Sequence, residues 1–149
     1  MKAERGERGF TAVEWTIGLG LLLMPVAILV LTIGTWGERT NVARLIAQEA
    51  ARAVVLADDW QSGTGAALAL ADEIAANHGL GEIACAGAGC MTVSIAGTLG
   101  NELVRGNEVI VTVAVPIPAV AIPLIPERWT EMTYTAEHTE RVDDFRSLP

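Results

Sequence analysis

Cysteine is the most reactive residue type in this sequence, and its two copies stand close together. Cys85 and Cys90 enclose Ala-Gly-Ala-Gly, whose small residues allow a short ring to close. If this part of the chain lies outside the cytoplasm, a disulfide is the expected state and contributes about 2 kcal/mol as a local staple. Free thiols are the alternative. Zinc is disfavoured, because His78 and His138 are the only histidines and the cysteine spacing is not that of a zinc knuckle.

The other polar residues form no pattern typical of catalysis. The sequence holds no nucleophile elbow, phosphate-binding loop, zinc-protease motif or dinucleotide-binding turn. His78 is expected at a helix end and His138 on the surface of a strand. Asp58-Asp59 and Asp143-Asp144 supply too few spaced oxygens for calcium, and solvated helix ends explain them more simply. We therefore expect a protein that is not an enzyme and that carries neither metal nor cofactor.

A peptide bond suited to processing lies near the N-terminus. Gly9-Phe10 is followed by Glu14, which stands at the fifth position when Phe10 is counted as the first. Glycine lets the backbone enter a peptidase site in an extended form. A glutamate in an apolar environment is costly unless it is paired, and an amine freed at Phe10 would be such a partner. Thr11 and Glu14 also have the spacing of a capping box, which would start a helix near Phe10 or Thr11.

A long uncharged run follows this bond. No charged residue occurs from Trp15 to Trp36, and a helix of that length, about 33 Å, can cross a hydrocarbon core of about 30 Å. Gly18 and Gly20 would allow close helix packing, and Pro25 is expected to kink the helix. The run is too long for a secretory signal peptide. A plain membrane anchor would explain the run but not the motif before it.

The distribution of charge indicates how such a helix would be oriented. The residues before Gly9 carry three basic and two acidic side chains, whereas the chain beyond Trp36 carries seven arginines and fifteen acids. Basic residues beside a span favour the cytoplasmic side, so the N-terminus is expected inside and the body outside. The acidic body argues against nucleic acid as a partner, because it has no basic patch for phosphates.

Beyond the run, periodicity predicts an α+β body that begins with two helices. The long helix is expected to continue as an amphipathic helix up to Asp58-Asp59-Trp60. Its apolar face is predicted to consist of Val42, Leu45, Ile46, Ala50, Ala53 and Leu56. Residues 61–65 are expected to form a loop, and a second short helix is predicted over residues 66–77, with Leu70 and Ile74 on one face.

Alternation with a period of two then predicts a small antiparallel sheet of about three strands. Val93 and Ile95 stand in the first strand, Val109–Val115 forms the second and Thr130–Thr139 the third, and residues 102–104 could extend a strand. Three strands with one apolar face need a cover. The amphipathic helix is the expected cover.

The segment from Pro116 to Pro126 contains only apolar residues, four of which are prolines. The prolines are expected to exclude both a helix and a central strand, and the segment is too short to span a bilayer. Two interpretations remain. The segment either crosses the open end of the core or forms an exposed contact surface for neighbouring subunits or the membrane interface.

Gly9-Phe10, with Glu14 at the head of an apolar helix, resembles the type IV prepilin signal. In that family a membrane aspartyl peptidase cuts after the glycine on the cytoplasmic face, and the helix is kept as the spine of the subunit. The order Arg-Gly-x-x-Ala-Val-Glu, the amphipathic continuation, the strands and the ending Glu140–Ser147 look like the TadE-like pseudopilins. These are minor components of the tight-adherence (Flp-type) branch of the type IV pilus machinery. Phe10 stands where many members have a small residue, so a minor pilin of another group is the nearer alternative.

This resemblance implies three parts: residues 1–9 as a cleaved cytoplasmic leader, 10–36 as a transmembrane helix and 37–149 as an extracytoplasmic body. It implies a minor pilin that primes, caps or regulates pilus assembly from the cell membrane. Its partners would be a prepilin peptidase, other pilins or pseudopilins, the assembly platform and the lipid bilayer. Members often carry a cysteine pair in the outer domain. The rival hypothesis is an uncleaved single-span protein whose body binds another envelope protein or a surface ligand.

Overall fold

The protein combines two helices with one three-stranded sheet. The computed structural model describes residues 7–85, 89–119 and 131–144, except for the side chains of residues 7–11 and 131. In chain order the elements are α1 (Glu7–Leu56), α2 (Trp60–Asn77), β1 (Thr92–Gly97), β2 (Glu108–Pro118) and β3 (Glu131–Arg141). The sheet is antiparallel with the order β1-β2-β3. The expected α+β class, with its long helix, second helix and three strands, is therefore confirmed.

Helix α1 has 50 residues and continues without a break through Pro25. It begins at Glu7, not near Phe10 or Thr11, so the prediction of Thr11 as N-cap is wrong. Residues 7–10 contain one glycine and no proline, and a single glycine is tolerated within a helix. The first half of α1 exposes its apolar side chains, whereas the second half buries one face under the sheet and α2.

The buried face of the second half differs in part from the expected one. Val42, Ile46 and Ala50 are buried as predicted, but Leu45 and Leu56 are 37% and 69% exposed. The buried face also includes Ala43, Ala47, Ala51 and Val54, each of which directly follows a residue of the predicted face. Both the sheet and α2 pack on this helix, so small side chains are needed on two adjacent lines.

Helix α2 starts earlier than expected, because residues 61–65 are helical and not a loop. The Asp59 carboxylate accepts a hydrogen bond from the Ser62 N–H at 2.9 Å and so caps the N-terminus of α2. Gly63 is required by packing, since a Cβ there would lie 2.9 Å from the Ala57 Cβ. The buried line of α2 consists of Gly63, Ala67, Ala71 and Ala75. Ile74 is only partly buried against the core, beside this line.

The central strand β2 supplies most of the sheet's contribution to the core. Val109, Val111, Val113 and Val115 are fully buried, as their alternation predicts. Val113 lies opposite Val93 of β1 and Ala136 of β3, which places the apolar side chains of all three strands on the face toward α1. The helix is thus the cover of the sheet, as expected.

Two prolines lie inside β2, contrary to the expectation that they exclude a central strand. The pairing of β1 with β2 ends at Ala114, so beyond that point β3 is the only strand that pairs with β2 among the described residues. Pro116 and Pro118 direct their carbonyl oxygens to side chains of α1. Proline's missing N–H removes no ladder bond on an unpaired side of a strand. The centre of the sheet therefore becomes an edge at this end, and the prolines fit there. Residues 120–126 lie outside the described part.

Residues 102–104 form no strand, so the predicted extension is wrong. Asn107, which is fully buried, organises this connection instead. Its side-chain oxygen accepts from the Leu99 N–H at 2.9 Å, and its Nδ2 donates to the carbonyls of Gly100 and Glu102 at 3.0 and 2.6 Å. Hydrogen bonds between the main chain of this connection and the Asn107 side chain take the place of the strand-to-strand hydrogen bonds of a sheet.

Candidate functional site

The predicted processing site lies at the head of α1. Gly9 and Phe10 have helical backbone, and the Phe10 side chain lies outside the described part. Glu14 follows on the same helix and is exposed to solvent. Because Thr11 is inside the helix, the capping-box explanation for Glu14 loses its geometric basis. Cutting between Gly9 and Phe10 would require the first turns to unwind, which is easiest at a helix end.

Glu14 borders a shallow groove on α1. Trp15, Gly18, Leu19 and Leu22 line the same groove, and an added Cβ at Gly18 would meet nothing within 4 Å. The carboxylate therefore stands at the rim of an apolar surface. In a membrane such a group needs a cation, for which a nearby N-terminal amine is chemically suited.

The predicted packing glycines face open space, but they do not share one face. Neither Gly18 nor Gly20 has an atom within 4 Å of an added Cβ. Residues two apart on a helix point in nearly opposite directions. Each glycine would therefore serve a different neighbour, and together they suit a helix that is contacted from two sides.

The first half of α1 exposes an unusual amount of apolar surface. Its large hydrophobic side chains from Val13 to Ile33, apart from the half-buried Ile28, are 51–77% exposed. Among the described residues, α1 is the one helix long and apolar enough to cross a membrane. Exposed apolar surface of this extent is typical of a contact with a membrane or with another protein.

Threonine hydroxyls in this half are satisfied within the helix itself. Thr16, Thr32 and Thr35 each donate to the carbonyl four residues earlier, at 2.8 to 3.0 Å. The polar atoms of an apolar helix must be satisfied internally when water is absent. The threonines are thus compatible with an apolar environment.

Sequence reasoning missed the junction at which α1 meets the end of the sheet. The Trp36 indole N–H donates to the Pro118 carbonyl at 2.5 Å, and the Arg39 guanidinium donates to the Pro116 carbonyl at 2.8 Å. One turn further on, Arg44 donates to the Tyr134 hydroxyl at 3.0 Å and lies over its ring. Trp36 at the end of the uncharged run, Arg39 shortly after it and the closely spaced Pro116 and Pro118 were the available signal.

Cys85 and Cys90 form the expected disulfide, with their Cα atoms 5.3 Å apart. The bridge lies between α2 and β1, where the Met91 N–H also donates to the Ile83 carbonyl. It closes a loop whose residues 86–88 lie outside the described part. The disulfide therefore links two points of the connection that leads from α2 into β1.

The other residues weighed for chemistry are dispersed. His78 caps the C-terminus of α2, and His138 on β3 lies 3.2 Å from Glu140. Within the described ranges, no three histidine, cysteine or acidic side chains are grouped so as to hold a metal ion. Asp59 is accounted for as the N-cap of α2.

The ending Glu140–Ser147 is described up to Asp144. Val142 is fully buried, and its N–H donates to the Asn107 carbonyl at 2.8 Å. Arg141 and Asp144 form an exposed ion pair at 3.1 Å. The valine of this ending thus closes the core beside Asn107, whereas the flanking charges remain in solvent.

Comparison of the chain with protein-family models, with curated proteins and with solved structures finds no match.

Proposed function

We propose that this protein is a TadE-like pseudopilin, a minor pilin that takes part in assembling a tight-adherence (Flp-type) pilus. The observation that carries the proposal is the division of one continuous helix. The head of α1 holds Gly9-Phe10 and Glu14, its first half is an exposed apolar rod, and its second half is packed under an antiparallel sheet. Such a helix would serve first as an anchor and, after cleavage, as a rod that packs against other pilin helices.

The proposed precursor is inserted with its N-terminus in the cytoplasm and its body outside. A prepilin peptidase would cut after Gly9 and leave Phe10 as the new N-terminus, within about one helical turn of Glu14. The carboxylate would then pair with the new amine, its own or that of a neighbouring subunit. The assembly platform and other pilins are the proposed partners, and priming, capping or regulating the filament is the proposed role.

The experiment is co-expression of the full chain with and without a prepilin peptidase, followed by intact-mass measurement from membranes. A product that starts at Phe10 only when the peptidase is present is the expected result. Gly9→Val should block cutting, because a β-branched side chain would stand at the bond. Gly6→Val is the matched control, since it changes the other leader glycine, and should be cut normally.

An intact leader in the presence of an active peptidase, with Gly9→Val behaving like the wild type, would overturn the proposal. That result would favour the uncleaved single-span protein with a binding body.

A further inference from the structure

Strand β3 leaves one side of its main chain open. It is 11 residues long and stands at an edge of the sheet, where β2 is its only partner strand among the described residues. In an antiparallel sheet, successive residues direct their N–H and C=O groups alternately to one side of the strand and to the other. About half of the main-chain groups of β3 therefore point away from the sheet.

Two hydrogen bonds identify the groups that point outward. The Thr98 N–H donates to the Glu108 carbonyl at 2.9 Å, so even-numbered residues of β2 direct their main-chain groups toward β1. The Val142 N–H donates to the Asn107 carbonyl at 2.8 Å, so even-numbered residues of β3 direct theirs toward β2. Within the part of the chain that the structure describes, the outward groups of the odd-numbered residues take part in no hydrogen bond. These exposed residues are Thr133, Thr135, Glu137 and Thr139.

The opposite edge of the sheet is shorter and partly occupied. Beside β1, which has 6 residues, the Met91 N–H donates to the Ile83 carbonyl at 2.6 Å. At the other end of β1, the Gly100 N–H donates to the Gly97 carbonyl at 3.2 Å. Open strand edges in proteins are normally short, covered or protected by charges. The outward residues of β3 are threonines apart from Glu137, so this edge is the one suited to a further strand.

A polar groove runs beside the open edge, between β3 and α1. Arg44 and Gln48 line it from the helix, and residues 134–138 line it from the strand. Arg44 donates through its Nε to the Tyr134 hydroxyl at 3.0 Å, and its two terminal nitrogens have no partner among the described residues. A strand added along β3 would direct every second side chain to this groove. There it would meet a guanidinium that is free to bind a carboxylate.

The charges differ between the two ends of the groove. Arg44 stands beside Tyr134, whereas His138 lies 3.2 Å from Glu140. Tyr134 and His138 lie on one face of β3, about 13 Å apart along the strand. An acidic side chain therefore fits near Tyr134. A basic or neutral one fits near His138, because Glu140 would repel a second carboxylate.

We infer that the open edge of β3 binds an extended segment of another protein by β-strand addition, with an acidic side chain of that segment on Arg44. Main-chain hydrogen bonds along the edge would supply affinity, and the Arg44 guanidinium would select the carboxylate. The edge belongs to the body, so this binding is separate from the cleavage proposed at Gly9-Phe10 and does not depend on it.

A second copy of this chain fits the edge less well than a different protein. Its β1 carries no carboxylate for Arg44, since the strand reads Thr-Val-Ser-Ile-Ala-Gly. Two β3 edges related by a two-fold axis would pair antiparallel, which turns the two α1 helices in opposite directions. Copies inserted in one membrane, as proposed above, would instead have their α1 helices in the same direction.

The test measures amide hydrogen exchange by NMR in the full, isotope-labelled chain in detergent micelles, with the disulfide oxidised. The probe is a capped peptide of eight alternating threonines and valines, with one valine replaced by glutamate and the valine four positions later replaced by lysine. In the free chain, the amides of Ala136 and His138 should exchange slowly and those of Thr135 and Glu137 rapidly. Saturating peptide should slow exchange at Thr135 and Glu137 about tenfold or more.

Two pairs of variants separate the edge from the groove. Thr135→Pro removes an outward N–H but no bond to β2, so it should abolish peptide binding while exchange at His138 stays slow. Thr135→Val keeps the N–H and should bind like the wild type. Arg44→Gln should weaken binding of the glutamate peptide about tenfold, to the level of a peptide with glutamine in place of glutamate. Arg44→Lys keeps the charge and should retain a preference for glutamate.

Three results would overturn the inference. Slow exchange at Thr135 and Glu137 in the free chain would mean that another part of the chain covers the edge. Unchanged exchange at these amides in millimolar peptide, or equal binding by Thr135→Pro and the wild type, would exclude strand addition. Protection that rises with the concentration of the chain, without peptide, would show pairing between two copies instead. None of these results bears on cleavage at Gly9-Phe10.

Discussion

The indole N–H of Trp36 donates a hydrogen bond to the carbonyl oxygen of Pro118, and this contact ties the end of the uncharged run to the end of the central strand. Arg39 repeats the arrangement at Pro116. The two bonds lie where α1 changes from exposed rod to covered helix. They take the place of the β1 partner that β2 lacks beyond Ala114.

Removing the indole donor should destabilise the body. Trp36→Phe keeps an aromatic ring but leaves the Pro118 carbonyl without this donor, so the free energy of unfolding should fall by about 1 kcal/mol. Urea unfolding of the detergent-solubilised chain, followed by circular dichroism, measures it. Trp15→Phe, at a side chain that is 73% exposed on the same helix, should change nothing. Equal effects of the two variants would contradict a role for the bond.

Two glycines of α2 should respond oppositely to alanine. Gly65 has no atom within 4 Å of an added Cβ, so Gly65→Ala should stabilise the protein by about 0.5–1 kcal/mol through helix propensity. At Gly63 the added Cβ would lie 3.1 Å from the Val54 main chain, so α2 must move away from α1. Gly63→Ala should therefore destabilise by about 1–3 kcal/mol. Thermal unfolding compares the two variants. A stabilised Gly63→Ala would show that α2 can move away from α1 at little cost in free energy.

The buried amide of Asn107 should be among the most sensitive side chains of the body. Asn107→Ala leaves the Leu99 N–H and two carbonyls without their partner, which should cost about 3 kcal/mol. Asn101→Ala, at an exposed position of the same connection, should stay within about 0.5 kcal/mol of the wild type. Denaturant midpoints measure both changes. A tolerated Asn107→Ala would mean that water replaces the amide.

The cap of α2 should make stability depend on acid. The Ser62 backbone N–H, together with the Ser62 side chain, holds the pKa of Asp59 below its usual value of 3.8. A lowered folded-state pKa means that the contribution is complete above the unfolded-state pKa and is lost as the pH falls through the folded-state value. Asp59→Asn keeps an acceptor but does not titrate in this range. Between about pH 6 and pH 3 the wild type should therefore lose more of its thermal stability than Asp59→Asn.

Asp58→Asn is the control for that comparison, because it removes a neighbouring carboxylate that does not cap α2. Its loss of stability over the same pH interval should match that of the wild type. If Asp59→Asn shows the full wild-type loss instead, the acid sensitivity arises elsewhere in the chain.

Local patterns were sufficient to predict the element types but not their limits. The alternation of valines in β2 identified a strand with one buried face, and the small residues between Cys85 and Cys90 indicated the disulfide. The start of α2 was predicted too late, because Gly63 and Gly65 suggest a loop when read locally. Gly63 is instead explained by its approach to Val54 and Ala57.

By itself, the sequence determined the uncharged run, the acidic body and the α+β order of elements, because charge and periodicity are properties of neighbouring residues. Only the tertiary structure decided that Pro116 and Pro118 belong to β2, that Leu45 and Leu56 are exposed while alanines of α1 are buried, and that Trp36 and Arg39 bind the end of the sheet. Those last contacts join residues 82 and 77 positions apart. No local pattern encodes them, since they arise only when the sheet folds back along α1.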